Sequence, residues 1–200
     1  MEIKDNLILN GLSDYIRIYD NIFPEKVLKN FYRICKEHGE FGDATIVGNP
    51  KEELLDKEIR DTKSWSLNNV GQKSKTTIHW ANLLMCFFNH NIKKYESSVS
   101  KENIGCTINS MQVLKYEKNG HYKIHSDHCH KIPRTLSCIF FINDDYDGGE
   151  LIFKTPDQEK KIQIDKKTNR LIIWPSNFLY PHAVMPVTEG VRYSVVAWAI

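Results

Sequence analysis

Residues 108–127 read INSMQVLKYEKNGHYKIHSD. Two runs within this stretch, 108–116 and 121–127, are rich in β-branched and aromatic residues and alternate apolar with polar positions. The pair Asn119-Gly120, which favours a tight turn, separates them. The stretch therefore predicts two short strands.

The pattern of short strands continues to the end of the chain. Further β-rich runs are predicted at 134–143, 149–155, 160–165, 170–175, 182–187 and 191–200. Turn residues lie between them, as in Asp147-Gly148-Gly149 and Glu189-Gly190. Eight short strands that follow helices predict an α+β fold built on a double-sheet jelly roll with eight core strands. Such a sandwich, open at one end, can hold a metal ion between its sheets.

The first half of the chain has a helical pattern. FPEKVLKNFYRICKEHG (23–39) has Pro24 near a helix start and Gly39 as a stop, and TIHWANLLMCFFNHNIKKY (77–95) is an amphipathic run long enough to pack on a sheet. We predict a single domain over residues 1–200. In it, residues 1–105 form a mainly helical support and residues 106–200 form the double-stranded β-helix core.

Composition narrows the classes of partner. The 27 Lys and Arg residues nearly balance the 25 Asp and Glu, so the net charge of +2 gives no electrostatic case for nucleic acid. The N-terminus is charged from Glu2 and lacks a long apolar run, which predicts neither a signal peptide nor a membrane span. Five cysteines without a C-x-x-C pair predict reduced thiols. We expect a cytoplasmic protein of a microbe or of a virus-infected host, as a monomer or homodimer.

A cluster of metal-ligating residue types lies at 121–130, HYKIHSDHCH. In a strand, residues i and i+2 point to one face, so His125 and Asp127 can bind one ion together. The next histidine along the chain after residue 130 is His182, at the start of a later predicted strand. Two histidines and one carboxylate with open positions are typical of non-haem Fe(II) oxygenases.

A second feature follows ten residues after His182. Arg192 and Ser194 alternate on one predicted strand face, which Trp198 shares. A buried guanidinium requires an anionic partner and grips carboxylates with two hydrogen bonds. If the protein offers no partner, a dicarboxylic acid cosubstrate is one candidate for that anion.

These residues resemble a known family. The order His125-x-Asp127, His182 and Arg192-x-Ser194 is similar to that of the 2-oxoglutarate- and Fe(II)-dependent dioxygenases, and specifically to the prolyl 4-hydroxylase-like branch. The resemblance covers about residues 108–200. Further local matches are Tyr116, Tyr122, the segment FINDDYDGGEL (141–151) and the segment WPSNFLYPHAV (174–184).

The resemblance implies a set of roles and cofactors. It implies Fe(II) on His125, Asp127 and His182, with 2-oxoglutarate and O2 as cosubstrates and ascorbate left open as a further cofactor. It also implies that Arg192 binds the far carboxylate of 2-oxoglutarate, with Ser194 and Tyr116 as accompanying contacts.

The chain departs from the branch at one position. Some prolyl hydroxylases have a second tyrosine anchor for the far carboxylate, at the position that Phe141 occupies here. Phe141 has no hydroxyl group to offer. Ser137, four residues earlier and on the same strand face, is expected to supply one.

The substrate is less constrained than the chemistry. The resemblance favours hydroxylation of a prolyl residue in a protein or peptide, with 2-oxoglutarate converted to succinate. The side chains expected to contact substrate are those of Tyr122, His128, His130 and Trp198. A hydroxylase of a free amino acid or small metabolite, and a non-catalytic metal-binding jelly roll, stay open. In a zinc hydrolase Arg192 would have no evident role. Halogenases of the superfamily lack the carboxylate ligand, so the presence of Asp127 favours hydroxylation.

Overall fold

A computed structural model describes residues 11–47, 53–67, 74–102, 104–155 and 161–200. Its two long helices are α1 (Glu25–His38) and α2 (Lys75–Val99). Pro24 precedes α1 and Gly39 follows it in an extended conformation. At the start of α2 the Ser74 side chain accepts a hydrogen bond from the backbone N–H of Thr77 (3.3 Å), which satisfies one free donor of the first turn. Both helices predicted from the sequence are confirmed.

Short strands make up most of the remaining regular structure. In chain order they are β1 (Arg17–Asp20), β2 (Gly42–Asp43), β3 (Ile46–Val47), β4 (Glu53–Leu54), β5 (Arg60–Asp61), β6 (Lys63–Ser66), β7 (Ile108–Tyr116), β8 (His121–His125), β9 (Leu136–Phe141), β10 (Asp147–Gly148), β11 (Leu151–Lys154), β12 (Lys161–Ile164), β13 (Arg170–Pro175), β14 (His182–Val184), β15 (Val187–Glu189) and β16 (Arg192–Ala199). Each of the eight predicted runs contains one of them, so the eight-strand prediction is confirmed.

The strands form two main antiparallel sheets. The major sheet has the order β1-β13-β9-β16-β7-β6-β2, and the minor sheet has the order β12-β11-β14-β8-β5. Apart from β6–β7 and β11–β12, neighbours in these lists are not consecutive along the chain, as is typical of a jelly roll. The predicted α+β fold, a double-stranded β-helix with supporting helices, is confirmed.

The described part of the N-terminal half contains short strands in addition to the two predicted helices. β1 pairs with β13 and β6 pairs with β7, so both extend the major sheet, while β5 pairs with β8 at the edge of the minor sheet. These strands have four residues or fewer, and β5 and β6 lie in polar sequence. The alternation of apolar and polar residues that marks a strand is therefore not visible in them. The support region therefore adds strands to both sheets as well as helices.

Two hydrophobic layers follow from strand alternation. On β9, Cys138 and Phe140 pack with the helices against the outer face of the major sheet, whereas Ile139 and Phe141 pack between the two sheets. All six side chains of β9 are consequently buried. The same alternation on β16 sends Arg192, Ser194 and Val196 towards the space between the sheets.

Strand register places the site at one end of that space. His182 on β14 lies directly opposite His125 on β8, and Arg192 on β16 lies opposite Tyr116 on β7. The first pair belongs to the minor sheet and the second to the major sheet. Neither described helix is both long and apolar enough to cross a lipid bilayer.

Candidate active site

His125, Asp127 and His182 converge between the sheets. One ligand atom from each lies within 4.8 Å of the others. The two Asp127 oxygens face different imidazoles, with Oδ1 at 3.6 Å from His125 Nε2 and Oδ2 at 3.5 Å from His182 Nε2. This arrangement brings two nitrogen ligands and one oxygen ligand to one point.

Backbone carbonyls fix both imidazoles. His125 Nδ1 lies 2.8 Å from the carbonyl oxygen of Lys123, and His182 Nδ1 lies 3.1 Å from that of Tyr180. Since a carbonyl only accepts, each Nδ1 carries the proton and each Nε2 keeps a lone pair. A ligating histidine generally has this kind of outer hydrogen bond, which sets its tautomer and its orientation.

Burial and neighbouring residues set the protonation states of His182 and Asp127. Burial, and then the neighbouring His125, lower the pKa of His182 to about 4, so its imidazole is neutral near pH 7. Burial alone would raise the pKa of the Asp127 carboxyl, but His182, His125 and a hydrogen bond from Ser137 together hold that pKa well below its usual range. His182 and Asp127 are therefore ready to bind a cation without first releasing protons.

Ser137 is not where the sequence interpretation put it. Its hydroxyl donates a 2.6 Å hydrogen bond to Asp127 Oδ2 and lies 2.7 Å from the hydroxyl of Ser176, which is then the donor. Ser137 does share a strand face with Phe141, but four residues of strand separate them by about 13 Å. It pairs with Trp198 across the sheet, at the metal end and away from Arg192. The expected second carboxylate anchor is thus corrected to an Asp127 contact.

Arg192 is a buried cation with unused hydrogen-bond donors. Its side chain is 1% exposed, and its Nε and Nη2 have no partner among the described residues. The guanidinium lies 4.9 Å from the ring centre of Tyr116 and 5.2 Å from that of Phe141. Ser194, on the same strand face, is fully buried and its hydroxyl also lacks a described partner. Because unpaired buried donors are costly, this cluster indicates a site for an anion.

A small cavity of about 90 Å³ opens over the triad. Tyr116, Tyr122 and Trp198, all predicted from the sequence, line it together with the triad. The Tyr122 ring stacks on His125 with 3.6 Å between ring centres and 19° between planes. Of the four predicted substrate contacts, Tyr122 and Trp198 lie at the metal cavity.

The sequence analysis missed two arginines that line the same cavity. Arg60 comes from β5 and lies 4.8 Å above the ring centre of Tyr122, and Arg134 lies 3.7 Å above that of Trp198. Arg60 fell in the half interpreted as scaffold. The signal that could have found Arg134 was its position immediately before a strand that also carries a predicted site residue.

His128 and His130 lie outside this convergence. Both side chains are exposed, and His128 Nδ1 lies 2.9 Å from the backbone carbonyl of Arg134. Cys129 between them is exposed and forms a backbone bridge with Ile132. Neither histidine belongs to the group of potential metal ligands. The loop therefore follows Asp127 away from the metal position.

Known proteins support this interpretation of the site. Residues 111–200 match the family model described as the 2OG-Fe(II) oxygenase superfamily, in which 2OG stands for 2-oxoglutarate. The predicted family resemblance is confirmed over these residues. The match implies Fe(II), 2-oxoglutarate and O2 as cofactors for residues 111–200, which we call the family-matched segment. The triad, Arg192 and Ser194 all lie within it.

A curated protein is similar to part of the chain. A PKHD-type hydroxylase of a Synechococcus strain (JA-2-3B'a(2-13)) is 34% identical over 99 residues, which cover 46% of this chain and 42% of the relative. The chain thus matches less than half of that protein's length.

The solved structures are similar over nearly the whole chain. A prolyl hydroxylase from Trichoplax adhaerens, in complex with a hypoxia inducible factor peptide, has a TM-score of 0.68 at 18% identity and covers 98% of this chain and 88% of its own. A prolyl-4-hydroxylase of Pseudomonas putida has a TM-score of 0.66 at 17% identity, with 96% and 98% covered. At these identities the likeness shows the fold.

The family-matched segment has side chains whose chemistry fits both Fe(II) and 2-oxoglutarate. Two imidazoles with free Nε2 lone pairs and one ionised carboxylate form a facial ligand set with open positions. The unpartnered donors of Arg192 and Ser194 match the oxygens of a carboxylate. The ligand atoms of the triad and the unused donors of Arg192 and Ser194 therefore match the chemistry of both groups.

Ser137→Ala is expected to weaken metal binding. The substitution removes the donor that fixes Asp127 Oδ2, and loss of such an outer hydrogen bond typically costs roughly 10–100-fold in metal affinity. Titration of the metal-free protein with Mn(II), followed by electron paramagnetic resonance, measures this. Ser98→Ala, a hydroxyl removed from the far end of α2, is the matched control and should bind Mn(II) like the wild type. Equal affinity in Ser137→Ala would reject the orienting role.

Gly149→Ala is expected to destabilise the fold near Arg192. Gly149 has a φ of +63°, and an added Cβ would lie 3.0 Å from Val187 Cγ2 and 3.1 Å from Arg192 Cδ. A left-handed non-glycine residue costs about 1–2 kcal/mol before any clash. Urea unfolding should show this loss, whereas Gly42→Ala, where the added Cβ meets nothing within 4 Å, should leave stability nearly unchanged. Unchanged stability in Gly149→Ala would contradict this packing.

Proposed function

We propose that the protein is an Fe(II)- and 2-oxoglutarate-dependent dioxygenase that hydroxylates an aliphatic C–H bond, with a prolyl residue of a protein or peptide as its substrate. One observation carries the proposal. A two-histidine, one-carboxylate set and a buried guanidinium with unused donors lie in the space between the same two sheets. A metal-binding module without cosubstrate chemistry would not need the buried guanidinium of Arg192 with its unused donors.

The roles of the metal-binding residues follow from their contacts. His125, Asp127 and His182 would hold Fe(II), which with 2-oxoglutarate and O2 supplies the oxidising power for hydroxylation. The carbonyl acceptors hold the imidazoles in the binding tautomer, and Ser137 orients the carboxylate. Trp174 and Phe153 pack around His182 and keep bulk water from that side of the site.

The cosubstrate-binding residues lie on the major sheet. Arg192 would pair with the far carboxylate of 2-oxoglutarate, and Ser194 would donate a hydrogen bond to it. Tyr116, whose ring lies beneath the guanidinium, limits the ways in which the dicarboxylate can lie. Since two imidazoles and one carboxylate leave an Fe(II) site positively charged, a dianionic chelator is electrostatically favoured.

The prolyl substrate is supported by the relatives and by the cavity lining. Two of the similar solved structures are prolyl hydroxylases, one of them with a bound peptide. Tyr122 and Trp198 offer apolar ring surface to the pyrrolidine ring of a prolyl substrate. His128 and His130 lie in the loop that follows Asp127. The cytoplasmic location, the monomeric or homodimeric state and a requirement for ascorbate stay predictions from the sequence.

We also propose that the chain works as one domain. β1, β5 and β6 from the N-terminal half pair with β13, β8 and β7 of the C-terminal half. α2 packs on the major sheet through a shared hydrophobic core. Removing residues before 106 would expose that core and the edges of both sheets.

A second candidate is hydroxylation of a free amino acid or another small acidic metabolite. Arg60 and Arg134, two cations at the metal cavity, favour it because such a substrate carries its own carboxylate. A peptide with an acidic side chain near the target would meet the same two groups. The substrate experiments below separate these possibilities.

Product analysis tests the proposed reaction. The protein loaded with Fe(II) and 2-oxoglutarate, with ascorbate in one arm, is exposed to O2 together with proline peptides or with free L-proline. We expect succinate in amounts that match a product about 16 Da heavier. Succinate formed without a heavier product would keep the oxidative chemistry and reject those substrates. No succinate in any arm would reject the proposed function.

A further inference from the structure

Two arginines from opposite walls meet at the metal cavity. Arg60 belongs to β5 at the edge of the minor sheet, and Arg134 lies just before β9 of the major sheet. Both line the 90 Å³ cavity that contains the triad. A charge placed over the metal position would therefore face one guanidinium from each sheet.

The cavity offers these cations little negative charge. Asp127 is the one carboxylate among the described residues that line it, and it would also be the carboxylate ligand of the metal. Arg134 Nη1 donates a 3.4 Å hydrogen bond to the backbone carbonyl of Asp127 and lies 3.7 Å from its Oδ1, a long ion pair, whereas Arg60 forms no ion pair with any described carboxylate. Two positive charges thus lack a full counterion near the place where a substrate must lie.

Both guanidiniums are held in fixed orientations. Tyr122 supports Arg60 and Trp198 supports Arg134, each by a cation–π contact, at 4.8 Å and 3.7 Å from the ring centre. Arg60 is only 9% exposed, donates through Nη1 to the Thr45 carbonyl (2.8 Å), and has an Nε with no described partner. A guanidinium has five N–H donors in one plane, so an arginine that uses one of them on a backbone carbonyl keeps others for paired hydrogen bonds to a carboxylate.

We propose that Arg60 and Arg134 form a recognition site for an acidic group of the substrate, so that the enzyme selects substrates with a carboxylate close to the carbon that reacts. This inference rests on the proposed function and adds the substrate class to it. The carboxylate belongs either to a free amino acid or to an acidic residue beside the target in a peptide. Arg192 binds the cosubstrate and takes no part in this selection.

Isosteric acid and amide probes test the proposal without requiring turnover. The protein is loaded with Mn(II) and 2-oxoglutarate without O2, and probe binding is followed through paramagnetic broadening of the probe's proton signals. One pair is N-acetyl-L-proline and its amide. The other is a blocked peptide with Glu next to proline and the same peptide with Gln. We expect the acid of at least one pair to bind at least about tenfold more tightly than its amide, since a hydrogen-bonded charge contributes about 1.5–3 kcal/mol.

Substitutions assign the preference to the two arginines. Arg60→Gln and Arg134→Gln should each reduce the acid preference about tenfold or more, the change expected when a charged hydrogen bond is lost. Arg60→Lys and Arg134→Lys keep the charge and should retain part of the preference, and they also cover the case in which a glutamine variant does not fold. Arg33→Gln, an exposed arginine on α1, is the matched control and should behave as wild type.

The outcomes separate this inference from the function on which it rests. A free-acid preference assigns the site to small amino acids, and a preference confined to the peptide pair assigns it to acidic peptides. Equal binding of acid and amide in both pairs, while 2-oxoglutarate still binds, would overturn the acidic-substrate site and leave the dioxygenase intact. Failure of 2-oxoglutarate to bind at all would instead reject the proposed function.

Discussion

Asp127→Ala reduces the affinity for Fe(II) by more than about 100-fold, because loss of an outer-shell partner alone costs 10–100-fold and this substitution removes a ligand. Asp127 provides the one negative charge of the triad, and its carboxylate is 7% exposed. Without it two neutral imidazoles must hold the cation, and Ser137 loses its acceptor.

Anaerobic titration with Fe(II) or with Mn(II) measures this loss. Asp127→Asn, which keeps the shape and removes the charge, separates electrostatic attraction from geometry and should lie between alanine and wild type. Asp43→Ala, an exposed carboxylate on β2, is the matched control and should leave the affinity unchanged. Wild-type affinity in Asp127→Ala would mean that the metal is not bound by this triad.

Arg192→Met changes stability and ligand binding in opposite directions. Methionine keeps the apolar stem and removes a buried charge with unpartnered Nε and Nη2, so the ligand-free protein should become as stable as wild type or more stable. The affinity for 2-oxoglutarate should fall at least about 100-fold, within the 2–5 kcal/mol cost of truncating one partner of a buried charge pair. Urea unfolding and isothermal titration measure the two effects.

Arg170→Met is the matched control with the reverse pattern. Arg170 donates from Nε and Nη2 to the Asp20 carboxylate at 2.7 and 3.0 Å, and this pairing holds the pKa of Asp20 well below its usual range. Its loss should lower stability and leave 2-oxoglutarate binding intact. Should Arg192→Met lower stability and spare the ligand in the same way, Arg192 would be a structural residue.

Strand periodicity made much of the fold and the triad predictable. The alternation in 108–127 placed His125 and Asp127 together, and the turn residues between later runs separated the eight core strands correctly. His182 could be assigned because histidines after the cluster are scarce. Its position directly opposite His125 depends on the register of β8 and β14, which depends on long-range pairing that a single sequence does not reveal.

Two residues show where sequence reasoning failed. For Ser137 the strand face was right and the level along the strand was wrong, because periodicity gives the side of a sheet and not the distance to a partner on another strand. Arg60 was missed because β5 has two residues in a polar region, too few to show alternation. Both side chains take their roles from contacts with residues far away in sequence.

The central claim is that this chain binds Fe(II) and 2-oxoglutarate together, and the most direct test is the visible charge-transfer absorption that their complex produces in the absence of O2. Wild-type protein should develop this band when both are added, and it should not do so with Fe(II) or 2-oxoglutarate alone. Asp127→Ala and Arg192→Met should lack the band at concentrations that saturate the wild type. No band in a folded wild-type protein, or an unchanged band in Asp127→Ala, would contradict the claim.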